Sequence, residues 1–382
     1  MIRVEVKPEL LSWARERAGL SLETLARRFP HLTAWERAEV RPTLKQLEGF
    51  AKATYTPVGF LLLSEPPVEE VPIPDFRAST GPSPRGRPSA DLLDTIYICQ
   101  QRQEWFRDFA RSEGEDALRF VGSATPSAGI EESAASIRSA LAFDLDERRL
   151  APTWTDALRM FIERADSAGV LVMCSGVVLN NNRRHLDPEE FRGFAMADDL
   201  APVVFVNGAD TKAGQMFTLA HELAHLWLGE SAVSDAQARF IPEHRVERWC
   251  NRVAAELLVP LDVFRTEYAR NAALRGELDR LARRFKVSTL VILRRMHDAG
   301  GLTQSELWAA YDDELERLRA MPRSSGGNFY LTQAARVSKR FARALVISTL
   351  EGRTLYRDAF RILGFSRLET FRELGRGLGI AT

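Results

Sequence analysis

The stretch Phe217-Thr-Leu-Ala-His221-Glu222-Leu-Ala-His225-Leu-Trp-Leu-Gly229 decides how the rest of the chain is read. Residues four apart share one face of a helix, so His221 and His225 can hold one cation while Glu222 leans over the remaining coordination position. Leu219, Leu223, Leu226 and Leu228 give such a helix a buried side, and Gly229 supplies its C-terminal cap. If the two imidazoles were ordinary surface groups, their neighbours would be polar. The neighbours are instead Phe217, Leu219, Ala220, Leu223, Ala224, Leu226 and Trp227, among which two histidines and a glutamate are costly without a partner. The spacing predicts a metal centre.

Catalytic zinc takes three protein ligands and a water. No third histidine follows at the short spacing, where Ser231 stands, so the ligand must come from further downstream. Glu243, His244, Glu247 and Glu256 are the candidates there. Val246–Val259, stopped by Pro260, reads as one helix on which Glu247 and Asn251 share a face. Glu247 is favoured as the ligand, with Glu243 the runner-up, Asn251 orienting a ligand from behind, and Glu256 a helix-packing or near-surface group. Zinc is the expected ion, with manganese the alternative. The mechanism this implies has the metal acidify a water molecule while Glu222 takes the proton and returns it to the leaving amine. The apolar run Pro202–Val206 reads as a strand beside the cleft, so Val204 and Val206 are candidate substrate contacts if its free edge pairs with an extended peptide. No oxyanion-stabilising side chain can be assigned.

Two resemblances follow from these residues. Phe217–His225, then Glu247-x-x-Cys250-Asn251-x-x-Ala-Ala-Glu-Leu-Leu-Val-Pro260, with Glu190–Phe194 and Ala201–Asn207 upstream, resembles the ImmA/IrrE family of intracellular metallopeptidases over roughly residues 130–300. That resemblance implies a zincin-like core and cleavage of a helix-turn-helix repressor or antitoxin in stress or mobile-element regulation. Cys250 departs from the pattern, which usually has a small residue there; packing is its expected role. Leu278–Met296 reads as helix, turn, helix with Ser288 as cap, similar to the module that follows the peptidase in this family, and His297 after it reads as a surface residue.

The N-terminal run resembles an Xre/Cro-type helix-turn-helix: helices Pro8–Ala18 and Leu22–Phe29, the Trp35-Glu36 step, and a helix opened by Pro42-Thr43. Pro30 intrudes at the turn and Ala38 replaces the usual glycine, so the groove-reading helix looks truncated. Thr33 and Arg37 are its candidate DNA contacts, with a dimerisation or docking bundle favoured over a base reader.

Composition sets the frame. The 382 residues, 45% apolar and 27% charged, suit two or three globular domains, and no apolar run approaches a membrane span. Three scattered cysteines make no disulfide framework, and the start, Met1–Lys7, lacks a signal-peptide core, so a cytoplasmic location is expected. The expected organisation is α+β and mainly helical. Residues 1–64 form the helix-turn-helix-like domain, 65–129 a proline-rich linker and helix, and 130–270 the zincin-like peptidase with a small sheet. A helical module at 271–310 and a basic helical module at 311–382 follow. The zero net charge hides an uneven distribution: +3 over residues 1–64, −10 over 65–320 and +7 over 321–382. The basic end, with a turn at Gly326–Tyr330 and a helix expected over Leu331–Leu350, should dock on the acidic middle of the same chain or on an acidic partner such as a toxin. A non-proteolytic regulator or antitoxin with a structural or sensory metal is the competing function.

Overall fold

Val203–Asn207 is apolar up to its last residue, and all five positions are buried, as befits a strand covered on both faces. It is β3 of a four-stranded sheet ordered β1-β3-β2-β4, with β1 Leu171–Ser175, β2 Gly193–Met196 and β4 Ala232–Val233. β1 runs parallel to β3, with Met173 opposite Phe205; β2 is antiparallel to both β3 and β4. The computed structural model describes residues 3–75, 88–234, 244–320 and 336–381. Among these, 3–72 and 88–97 form one unit, and 73–75 and 98–381 form another.

The sheet belongs to the second unit. Helix Lys212–Leu228 packs on β2 and β3, and helix Arg245–Leu258 lies between it and helix Ile130–Ala140. Helix Trp154–Ser167, capped by Thr153, runs against β1 and against helix Lys212–Leu228. The expected mainly helical chain with a small sheet is what the structure shows. Helices Leu274–Phe285 and Thr289–Asp298 follow, the second capped by Ser288, whose hydroxyl accepts from the Val291 N–H.

The basic end docks within this same unit. Lys339–Leu350 rests on helix Trp154–Ser167 and β1, with Phe341 edge-on to Trp105. Arg353 pairs with Glu113 at 2.5 Å, Lys339 pairs with Glu163 at 2.5 Å, and Arg340 pairs with Glu115. The Ser338 hydroxyl and the Arg340 N–H donate to the buried Asp166 carboxylate. Burial pushes Asp166 above the usual carboxylate range, against the pull of those donors. The proposed turn at Gly326–Tyr330 and the first part of the expected Leu331–Leu350 helix lie outside the described residues.

In the first unit, helices Pro8–Arg17, Leu22–Ala26, Leu32–Glu36 and Leu44–Ala53 enclose Leu10, Leu11, Leu32, Leu47, Phe50 and Leu61. Leu22–Ala26 stops three residues short of the expected Phe29. The last helix starts at Leu44, not Pro42: Thr43 caps it in a full capping box with Gln46, which leaves Pro42 outside. The candidate reading helix is only five residues long. Ala38 takes φ 58°, a left-handed conformation in which glycine is at ease and alanine is not.

Candidate metal centre

Lys212–Leu228 is helical because Thr211 caps its start, accepting from the Gly214 N–H, and Gly229 at φ 70° closes its end. Twelve of its residues are buried, His221, Glu222 and His225 among them, so the motif faces packed protein on every side. Helix Arg245–Leu258 crosses it and delivers Glu247, Cys250 and Asn251. The end of that second helix is held by two arginines: Arg138 donates to the Glu256 carbonyl at 2.9 Å, and Arg148 to the Leu258 carbonyl. Cations suit the partial negative charge of a helix C-terminus. Burial, with Arg284 and Arg138 nearby, pushes the Arg148 guanidinium down to about 9.

Three donors converge. His221 Nε2 and His225 Nε2 are 3.2 Å apart, Glu247 Oε2 is 3.3 Å from the first, and Glu247 Oε1 is 2.9 Å from the second. Ligands on a tetrahedral zinc, with bonds of about 2.0–2.1 Å, stand about 3.3 Å from one another. The side chains therefore already have the spacing of a ligand set. Glu247 Oε1 makes no hydrogen bond despite its short distance to His225, which is how lone pairs look when they face a common point. His221 Nδ1 lies 3.1 Å from Asn251 Oδ1; with the ring donating there, Nε2 keeps its lone pair for a cation.

Charge and burial compete at each group. Burial opposes ionising Glu247, but the adjacent His221 and His225 outweigh it and hold the carboxyl far below the usual range. Burial works against His221 as a cation, yet Glu247 beside it pulls it up. For His225 burial prevails, and its pKa is lowered. Glu222 is fully buried, and desolvation pushes it up to about 8, against the pull of the neighbouring His221. Neither of its oxygens accepts a hydrogen bond among the described residues.

The structure also assigns places to the remaining candidates. Glu243 lies outside the described residues. Glu256 is a buried packing group, not a near-surface one: it pairs with Arg295 at 2.7 Å and is 5% exposed. His297 is half-buried on the last turn of its helix. Thr33 is half-buried and Arg37 exposed, 3.9 Å from Glu39.

The substrate strand needs correction. β3 is hydrogen-bonded on both sides, so it has no free edge to offer a peptide, and Val204 and Val206 are core residues at 0% and 1% exposure. On the other side of β2, β4 has its Val233 N–H taken by the Pro74 carbonyl at 2.9 Å.

Two features beyond the motif shape the site. A Cβ on Gly193 would meet Thr218 Cγ2 at 2.5 Å, Phe205 O at 2.7 Å and Glu222 Oε1 at 3.1 Å, so only glycine lets β2 pass this close to the Glu222 carboxyl. Ser234, next to β4, accompanies it: its N–H donates to the Gly193 carbonyl at 3.3 Å. Neither was singled out by the sequence; Gly193 was visible only as part of Glu190–Phe194.

Residues 165–297 match the family model of the IrrE N-terminal-like domain, Peptidase_M78. The match is to a metallopeptidase family and spans the sheet, the His221–His225 motif and Glu247. It points to peptidase chemistry on a protein substrate. Residues 337–377 match DUF8813, a domain of unknown function, and so cover most of the docked basic end. No curated protein matches the chain, and no solved structure does. Among the described residues no helix is long and apolar enough to cross a membrane.

Proposed function

We propose that the chain is a zinc-dependent endopeptidase with a zincin-like core, acting in the cytoplasm on a regulatory protein, a repressor or antitoxin. The observation that carries this reading is the convergence of His221, His225 and Glu247 at ligand spacing beside an unpartnered, buried Glu222. When bound, the ion supplies Lewis acidity to the scissile carbonyl and to a water molecule. Glu222, buried and unpartnered beside that position, would take the proton of the attacking water and return it to the leaving amine. Asn251 holds the His221 ring in the metal-ready orientation. The Arg138 and Arg148 side chains hold the end of the helix that carries Glu247.

The first unit serves better as a docking or dimerisation bundle than as a base reader, since a five-residue helix presents few side chains to a groove. The basic end pairs with this chain's own carboxylates, which favours the intramolecular reading over a toxin surface. One observation favours the non-proteolytic alternative: a cysteine stands within reach of the metal position.

The test is cleavage of repressor-like proteins encoded beside this chain's gene, by zinc-loaded protein. Glu222→Gln should keep its zinc and lose turnover by about 10²–10⁴-fold. His225→Ala should lose the zinc itself. Wild-type turnover by Glu222→Gln would remove the glutamate from its role, and stoichiometric zinc in His225→Ala would remove that ligand.

A further inference from the structure

Cys250 follows Glu247 by three residues on one helix, so both side chains leave from the same face. Its Sγ forms a group with one ring nitrogen each of His221 and His225, all within 4.8 Å of one another. Two donors on one zinc can be no farther apart than the sum of their bonds, about 4.4 Å for sulfur and nitrogen. Since the three donors lie within 4.8 Å of one another, any excess over that limit is a few tenths of an ångström at most. Cys250 is fully buried and carries a free thiol. The second observation is Glu222, also fully buried beside the same histidines with both oxygens unpartnered among the described residues, which independently calls for a cation here.

We infer that Cys250 is a further protein donor to the metal ion, placing one sulfur beside the two imidazole nitrogens of His221 and His225. The inference rests on the metal-centre reading above and deepens it. The thiol proton is released as the sulfur–metal bond forms, so the ion and its new ligand together carry one positive charge less. A soft sulfur donor selects zinc or cobalt over manganese.

Cobalt(II) titration of the metal-free full-length chain tests this without any substrate. Wild-type protein should bind one equivalent and show both the visible bands of a tetrahedral ion and a near-ultraviolet thiolate-to-cobalt charge-transfer band. Cys250→Ser should lose the charge-transfer band, keep the visible bands and weaken zinc binding by at least about 10-fold. Cys250→Ala should behave the same, and covers the case in which serine is poorly tolerated in this apolar packing. Cys174→Ser should retain the charge-transfer band. Cobalt bound by the wild type without that band, or the band persisting in Cys250→Ser, overturns the inference and leaves the His221, His225 and Glu247 set standing. Failure to bind cobalt or zinc at all overturns the metal-centre reading and this inference with it.

Discussion

The two units bury different chemistry. In the N-terminal unit the interior is apolar, and its buried polar groups among the described residues are Thr54, Thr56 and Thr95, each donating to a nearby backbone carbonyl. The second unit buries five glutamates: Glu222, Glu247, Glu256, Glu277 and Glu314. Three of them are matched by arginine, Glu256 by Arg295, Glu277 by Arg280 and Glu314 by Arg275 and Arg317. Glu247 faces the two histidines. Only Glu222 among the five has no hydrogen-bond partner for either oxygen among the described residues. Burial of charge alone therefore does not mark a site, because most of it here ties helices together. What marks the site is a buried carboxylate that the protein leaves without a donor.

That contrast can be broken. If Glu256 is purely a tie between helices, Arg295→Ala should destabilise the second unit by about 3–5 kcal/mol, since it strands a buried charge. Chemical denaturation measures this, and zinc affinity per folded molecule should stay unchanged. A loss near zero would mean that Glu256 finds another partner or water, and the distinction between tie and site would weaken.

The pH dependence of the metal-free protein sharpens it further. Folded Glu222 holds its proton up to about pH 8, whereas the unfolded chain releases it near pH 4.3, about the ordinary glutamate value. Because the folded pKa is the higher, ionisation of the unfolded state costs wild-type stability as pH rises. Relative to Glu222→Gln, the wild type should lose stability progressively between about pH 4 and about pH 8, on the order of a few kcal/mol, and hold a constant gap above that. Paired melting curves in chelator across this range decide it; parallel curves would show that Glu222 is solvated or partnered when the metal is away.

The smallest effect belongs to the bundle. Thr43→Ala removes the capping box and should cost about 1 kcal/mol in that unit, with no change in zinc affinity. A change in metal binding would show that the two units are coupled.

Much of the site was legible in the sequence because its pieces are local. His221 and His225 are one helical turn apart, and Glu247 and Asn251 likewise, so each pair's shared face follows from helix periodicity alone. The capping residues Thr211 and Ser288 act within three residues of themselves, and Ser288 was readable for that reason. Helix starts were less certain: Pro42 fits a first turn as well as Thr43 fits a cap, and the choice fell to Gln46 reaching back. β2 and β4, four and two residues long, carry too little alternation to be read as strands.

What the sequence by itself determined was which histidine, glutamate and asparagine side chains share a face, and the apolar setting that makes them costly without a partner. What only the tertiary structure decided was which strand is interior, which helix crosses the motif, and how near Cys250 comes to the histidines. The order of strands in a sheet and the crossing of two helices depend on contacts between residues far apart in the chain, and a two- or four-residue periodicity is silent about those. For that reason Val204 and Val206 read equally well as an edge or a centre until β1 and β2 are seen on either side. Cys250, one turn from Glu247, could be placed on a face by periodicity, but its reach to a helix 25 residues earlier could not.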